Sequence, residues 1–253
     1  MTTTARLIAL LTCALLTTAA CAGRPAEPAE GAAGADAGSG TPEKVLLLGD
    51  SVAEGLALPL GAALDAAGTG FESLAADGGG NVVGPSADQQ WPELPGRIAA
   101  AAPTVVVYQV TTYDWGTPQE QRDAYQRLAD TVSGTGAVLA LVTAPPIRPD
   151  DFYEPHMGEL AATRDAVMAV ADGSDGRVVA LDAAEVWGPS YQQTRDGLPD
   201  RSADGIHACQ QGAARFATWL VDKLATVRPG IVPAAPEQWA NAGWSADPRF
   251  RGC

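Results

Sequence analysis

Three side chains, Ser51, Asp204 and His207, are of the types that together perform acyl transfer. Ser51 ends the tripeptide Gly49-Asp50-Ser51, which follows the apolar run Lys44-Val45-Leu46-Leu47-Leu48. A helical pattern begins just after it. A serine at such a strand-to-helix turn sits where backbone N–H groups are unpaired and the helix dipole favours negative charge. It needs a base to become a nucleophile, and His207 can be one. The base needs an orienting partner, and Asp204 stands three residues before it. At that spacing the carboxylate can reach the imidazole while the other ring nitrogen faces Ser51. Ser51 as a helix cap is compatible with this role, because a cap exposes its hydroxyl. Asp50 is expected to fix the turn through local side-chain-to-backbone bonds.

The elements that must position these groups alternate between strand and helix. Strands are expected at 45–48, 71–76, 104–110, 137–142 and 177–181. Helices are expected at 52–67, 118–132, 160–171 and 210–227, with a short one at 91–101 broken by Pro92 and Pro95. The strands are apolar throughout rather than alternating, which fits a parallel sheet covered on both faces. Such sheets carry their sites at the carboxyl ends of the strands. Ser51 follows the first strand, Gly78-Gly79-Gly80 the second, 111–115 the third, and Asp204 and His207 lie beyond the fifth. All of them therefore fall on one edge.

Gly-Asp-Ser after the first strand, with Asp204-Gly205-Ile206-His207 near the far end, resembles the SGNH (GDSL-type) hydrolases. The resemblance spans roughly residues 44 to 228. It implies a three-layer α/β/α sandwich with a five-stranded parallel sheet, flavodoxin-like in type. It assigns the nucleophile to Ser51, the base to His207 and its orienter to Asp204. It also implies an oxyanion hole from the Ser51 N–H and a glycine after the second strand, and Gly79 is favoured among the three. In that family Gly-x-Asn-Asp commonly follows the third strand. Here the stretch reads Thr111-Thr112-Tyr113-Asp114, with Tyr113 where Asn would donate. One such donor is normally worth about 10²–10³ in rate. Tyr113, Asp114 and Trp115 are expected to contact substrate. Tyr108, in mid-strand, is expected in the core, and His156 in a structural or rim position. An α/β-hydrolase is excluded because Ala53 breaks Gly-x-Ser-x-Gly. A P-loop is excluded because Gly-Gly-Gly lacks the following Lys-Ser/Thr.

Residues 1–20 read as a secretory signal peptide: Arg6, an apolar stretch at 7–16, then small residues. Cys21 resembles the lipid-modified cysteine of a bacterial lipoprotein, although Thr18 stands where an aliphatic residue is usual. Residues 21–43, rich in Ala, Gly, Pro and Glu, are expected to be a disordered tether. The expected location is the outer face of the bacterial cytoplasmic membrane, or the medium. Membrane contact is expected only through the lipid. The formal net charge of −14 argues against nucleic acid as a partner. Cys209 and Cys253, the two remaining cysteines of the exported protein, are expected to form a disulfide. It would tie a Pro- and Trp-rich tail at 229–253 to the domain, with Trp239 or Trp244 as a wall over the site. Neither a metal nor a cofactor is expected, and the expected state is a monomer. The sequence predicts an exported serine esterase acting on a small-molecule ester or an acylated glycan. The alternatives are an O-acyltransferase for a cell-envelope glycan, or a non-catalytic binding lipoprotein with the same fold.

Overall fold

A computed structural model describes residues 42–250 and 252–253. The signal peptide, Cys21 and the tether up to residue 41 lie outside the described residues. Strand β1 (Lys44–Leu48) runs into helix α1 (Ser51–Ala66), and β2 (Gly70–Ser73) follows. Two short helices, α2 (Ala87–Gln90) and α3 (Leu94–Ala101), lead to β3 (Val105–Gln109). Then come α4 (Pro118–Ser133), β4 (Val138–Val142), α5 (Met157–Asp172), β5 (Val178–Leu181), α6 (Ala184–Trp187) and α7 (Gln210–Val227). The five strands form one sheet in the order β2-β1-β3-β4-β5, and every pairing is parallel. This is the flavodoxin-like order, which reverses direction beside β1.

Alternation along each strand divides the core into two layers. Val45 and Leu47 of β1 pack with α1 and α7, on residues such as Leu56, Leu60, Phe216 and Leu220. Leu46 and Leu48 face the other way, onto Ile98, Leu128 and Val167 of α3, α4 and α5. Both faces of β1 are thus covered, which is why the strand carries no polar residue after Lys44. Burying each of these leucines stabilises the fold by about 1.5–3 kcal/mol.

The starts and ends follow local chemistry. Helix α4 opens with a capping box, in which the Thr117 side chain accepts from the Glu120 N–H and Glu120 reaches back to the Thr117 N–H. The expected helix at 91–101 is realised as α2 and α3, with Pro95 in the first turn of α3, where its missing N–H costs nothing. Glu43, assigned to the tether, is instead held. Its carboxylate pairs with Arg228 at 3.0 Å and accepts from Thr104 Oγ1 at 2.6 Å. The tail returns across α1 and α7, burying Ile231, Trp239 and Phe250.

Candidate active site

The turn between β1 and α1 is built around a buried carboxylate. Asp50 caps α1: its Oδ1 accepts from the Val52 N–H at 3.0 Å. Its Oδ2 accepts from both the N–H and the hydroxyl of Thr112, each at 2.8 Å. Asp50 thereby locks the end of β1 to the loop after β3. Burial pushes its pKa up, against the hydrogen bonds from Thr112 and Val52 that favour the charged form. Gly49 permits the turn, with a φ of +149° and Ala53 Cβ only 2.6 Å from where a side chain would begin.

This turn presents Ser51 to His207. The Ser51 Oγ lies 2.9 Å from His207 Nε2, and His207 Nδ1 lies 2.8 Å from Asp204 Oδ2. The other Asp204 oxygen accepts from the N–H groups of Ile206 at 2.7 Å and His207 at 3.0 Å. Burial pushes the Asp204 pKa up. The bonds from the His207 ring and the two N–H groups outweigh it and hold the carboxyl below its usual value. With Asp204 on Nδ1, Nε2 is left to accept the serine proton. The sequence-predicted trio is therefore brought together, across 156 residues of chain between Ser51 and His207.

Other expected contacts are not formed. The Gly79 N–H closes a local turn by donating to Ala76 O at 3.3 Å. Gly78, Gly79 and Gly80 line a separate depression with Gln89 and Arg97. Gly80 touches the nucleophile turn: at φ +81° its backbone lies so close to Gly49 O that any Cβ would collide. With the Gln90 amide assigned so that its oxygen faces the loop, that oxygen can accept from the Gly80 N–H at 2.5 Å. The Ser51 N–H, in the first turn of α1, has no partner among the described residues, so it is the donor the geometry offers to an oxyanion.

Asp114 cannot touch substrate. It is fully buried and accepts from the hydroxyls of Tyr108, Tyr125 and Thr111 at 2.8–2.9 Å. Burial raises its pKa to about 7, against those three donors. Tyr108 is in the core as expected, and its hydroxyl also accepts from the Val82 N–H at 3.1 Å. Trp115 stacks on His156 at 3.6 Å and lines a different groove, with Trp91 and Arg127. Tyr113 packs among Trp115, Phe152 and Tyr153. Its phenol is held neutral by burial, by the neighbouring Tyr153 phenol and by the carboxylates of Asp50 and Asp77.

The cleft at Ser51 has a volume of about 580 Å³. Its walls are the first turn of α1, Asp77, His207 and, from the tail, Asp247, Pro248 and Arg249. Sequence reasoning expected a wall from the tail but assigned it to Trp239 or Trp244 rather than to these residues. Trp239 is instead buried in the core, and Trp244 packs on Phe250. Arg249 spans to Glu54 of α1 at 2.8 Å. The Cys209–Cys253 disulfide forms, as expected, and fastens the tail two residues beyond His207. Among the described residues no His, Cys, Asp and Glu side chains gather as a metal site.

No family model matches the chain, and no curated protein does. Solved structures do. A candidate SGNH hydrolase from Slackia heliotrinireducens matches with a TM-score of 0.55 at 18% identity, over 73% of this chain and 100% of its own. A candidate acylhydrolase from Bacteroides fragilis matches with a TM-score of 0.57 at 13% identity, over 74% of this chain and 88% of its own. An acetyl-xylooligosaccharide esterase from Geobacillus matches with a TM-score of 0.52 at 14% identity, over 73% of this chain and 95% of its own. At these identities the likeness is one of fold.

Proposed function

From the SGNH-hydrolase fold and the geometry at Ser51, we propose that this chain is an exported serine esterase that cleaves carboxylic esters through an acyl-enzyme. The observation that carries the reading is the relay of Ser51 Oγ to His207 Nε2 at 2.9 Å and His207 Nδ1 to Asp204 at 2.8 Å. The Ser51 oxygen attacks the ester carbonyl and His207 takes its proton. The carbonyl oxygen becomes an oxyanion, which the Ser51 N–H and the dipole of α1 stabilise. As the intermediate collapses, the C–O bond to the alcohol breaks and the imidazolium returns its proton to the leaving oxygen. Water, deprotonated by His207, then attacks the acyl-enzyme; the C–O bond to Ser51 breaks, the imidazolium returns that proton to the Ser51 oxygen, and the acid is released. Asp204 holds the imidazole and offsets its charge in both halves.

The disulfide supports export, because such bonds persist in oxidising compartments. Cys21 is proposed as a lipid anchor, and its test is intact-mass analysis of the mature N-terminus. A cleft with one identified oxyanion donor is expected to turn over slowly. A sugar hydroxyl taking the place of water would make the same acyl-enzyme an acyltransferase. The existence of a glycan-esterase neighbour on this fold supports an acylated saccharide as one candidate substrate. The test of the core reading is p-nitrophenyl acetate hydrolysis. Ser51→Ala should retain only the roughly 10³–10⁴-fold effect over water that binding and oxyanion contacts provide. Wild-type rates in that variant would refute it.

A further inference from the structure

The loop that carries the base, residues 202–207, is anchored by an arginine that neither the motif nor the relay accounts for. Arg201 is 2% exposed, and none of its hydrogen bonds goes to a carboxylate: the Oδ2 of neighbouring Asp200 pairs with Arg215 at 2.5 Å and faces Arg195 at 4.0 Å. Arg201 instead spends its guanidinium on carbonyl oxygens. It donates to Pro146 O at 3.0 Å, to Ile206 O, and through Nε to His207 O at 3.4 Å. Its plane lies over the rings of Trp187 at 5.0 Å and Tyr191 at 5.7 Å. Backbone bonds close the same loop: Ser202 N–H donates to His207 O at 2.8 Å, and Arg201 bridges to Ala208. From the outer side Arg148 closes on it as well, through its N–H to Gly205 O at 3.0 Å and its guanidinium to Ala203 O.

A buried guanidinium is expensive to desolvate and is normally repaid by an acid. Here burial lowers the Arg201 pKa only to about 10, so it stays charged at neutral pH. Its return is geometric. One rigid fork with several donors grips two consecutive carbonyls of the histidine segment and ties them to the loop after β4. The position of His207 Nε2 relative to Ser51 Oγ depends on that segment. We propose that Arg201 is a positioning residue for the base, holding the His207 backbone at the height where its ring meets Ser51. The inference rests on the serine-esterase reading.

The test is kinetic and uses the mature protein with its disulfide intact. Wild type, Arg201→Lys and Arg201→Met are compared by kcat and KM for p-nitrophenyl acetate, counted per site titratable with a fluorophosphonate at Ser51. Misplacing a catalytic group by about 1 Å costs on the order of 10²-fold. Arg201→Met should lower kcat about 100-fold with KM within about twofold. Arg201→Lys, which keeps a cation but cannot span three carbonyls, should recover part of that loss and sit about 10-fold below wild type. A residue that served stability alone would lower the number of titratable sites and leave kcat per site unchanged. Should Arg201→Met fail to fold, Arg201→Lys decides: a wild-type kcat per site overturns the proposal. A wild-type protein that the probe does not label at Ser51 overturns both the esterase reading and this inference. Labelled wild type with unchanged variants overturns the inference alone.

Discussion

Opening the Cys209–Cys253 bridge should do two separable things. The cysteines are 44 residues apart in sequence. In the chain-entropy model a closed loop of that length removes denatured-state freedom worth about 4 kcal/mol. For a domain of roughly 210 residues the unfolding entropy is on the order of 0.45 kcal/mol per degree, so Tm should fall by roughly 9 °C. The second effect is local. Asp247, Pro248 and Arg249 form one wall of the Ser51 cleft, and Gly252 O accepts from the Ala203 N–H at 3.2 Å beside Asp204. Without the bridge those contacts lose their covalent anchor, although Trp239 and Phe250 stay buried. A Cys209→Ser, Cys253→Ser double variant is assayed by thermal and urea unfolding and by KM for a small ester. The expected results are a loss of about 4 kcal/mol and a raised KM. A Tm within about 2 °C of wild type with unchanged KM would mean that packing alone holds the tail, and the reasoning would fail.

Three further outcomes are expected. Asp114, with its pKa raised to about 7, contributes stability that is fully present below the unfolded carboxyl value and is lost as pH rises through about 7. The stability difference between wild type and Asp114→Asn should therefore shift against wild type from pH 4 to pH 8 in urea unfolding, and a flat difference contradicts this. Among the described residues lining the cleft, Glu54, Asp77 and Asp247 face one cation, Arg249, so acetylcholine should have a severalfold higher kcat/KM than the neutral isostere 3,3-dimethylbutyl acetate at low salt. That gap should close near 0.5 M salt, and equal rates at low salt would contradict it. Tyr113 packs its ring against Trp115, Phe152 and Tyr153 and is not among the described residues lining the Ser51 cleft, so Tyr113→Phe should keep kcat within about threefold, whereas a loss of 10²-fold or more would identify it as the missing oxyanion donor.

The parts of the fold that were legible in the sequence are those set by local pattern. Val45 to Leu48 read as a strand buried on both faces because no polar residue interrupts them, and α7 showed its stripe from Ala213 to Leu224. Ser51, Asp204 and His207 were legible because their types and the strand ends dictate one edge. What escaped depends on partners distant in sequence. The Gly79 N–H is consumed by Ala76, and Gly80 is set by its approach to Gly49. Asp114 looked like a substrate contact, yet it is the acceptor that the buried hydroxyls of Tyr108 and Tyr125 require. The tail wall follows from a disulfide whose existence could be expected but whose flanking side chains have no periodicity to orient them. Arg201 gave no signal, because a lone arginine beside Asp200 reads as half of an ion pair.

The central claim is that Ser51 is a nucleophile activated by His207. Intact-mass and peptide mass spectrometry after treatment with a fluorophosphonate tests it most directly. The account predicts one stoichiometric adduct, located on Ser51, formed by wild type and lost in both Ser51→Ala and His207→Ala. A folded wild-type protein left unmodified, or an adduct that persists undiminished in His207→Ala, would contradict it.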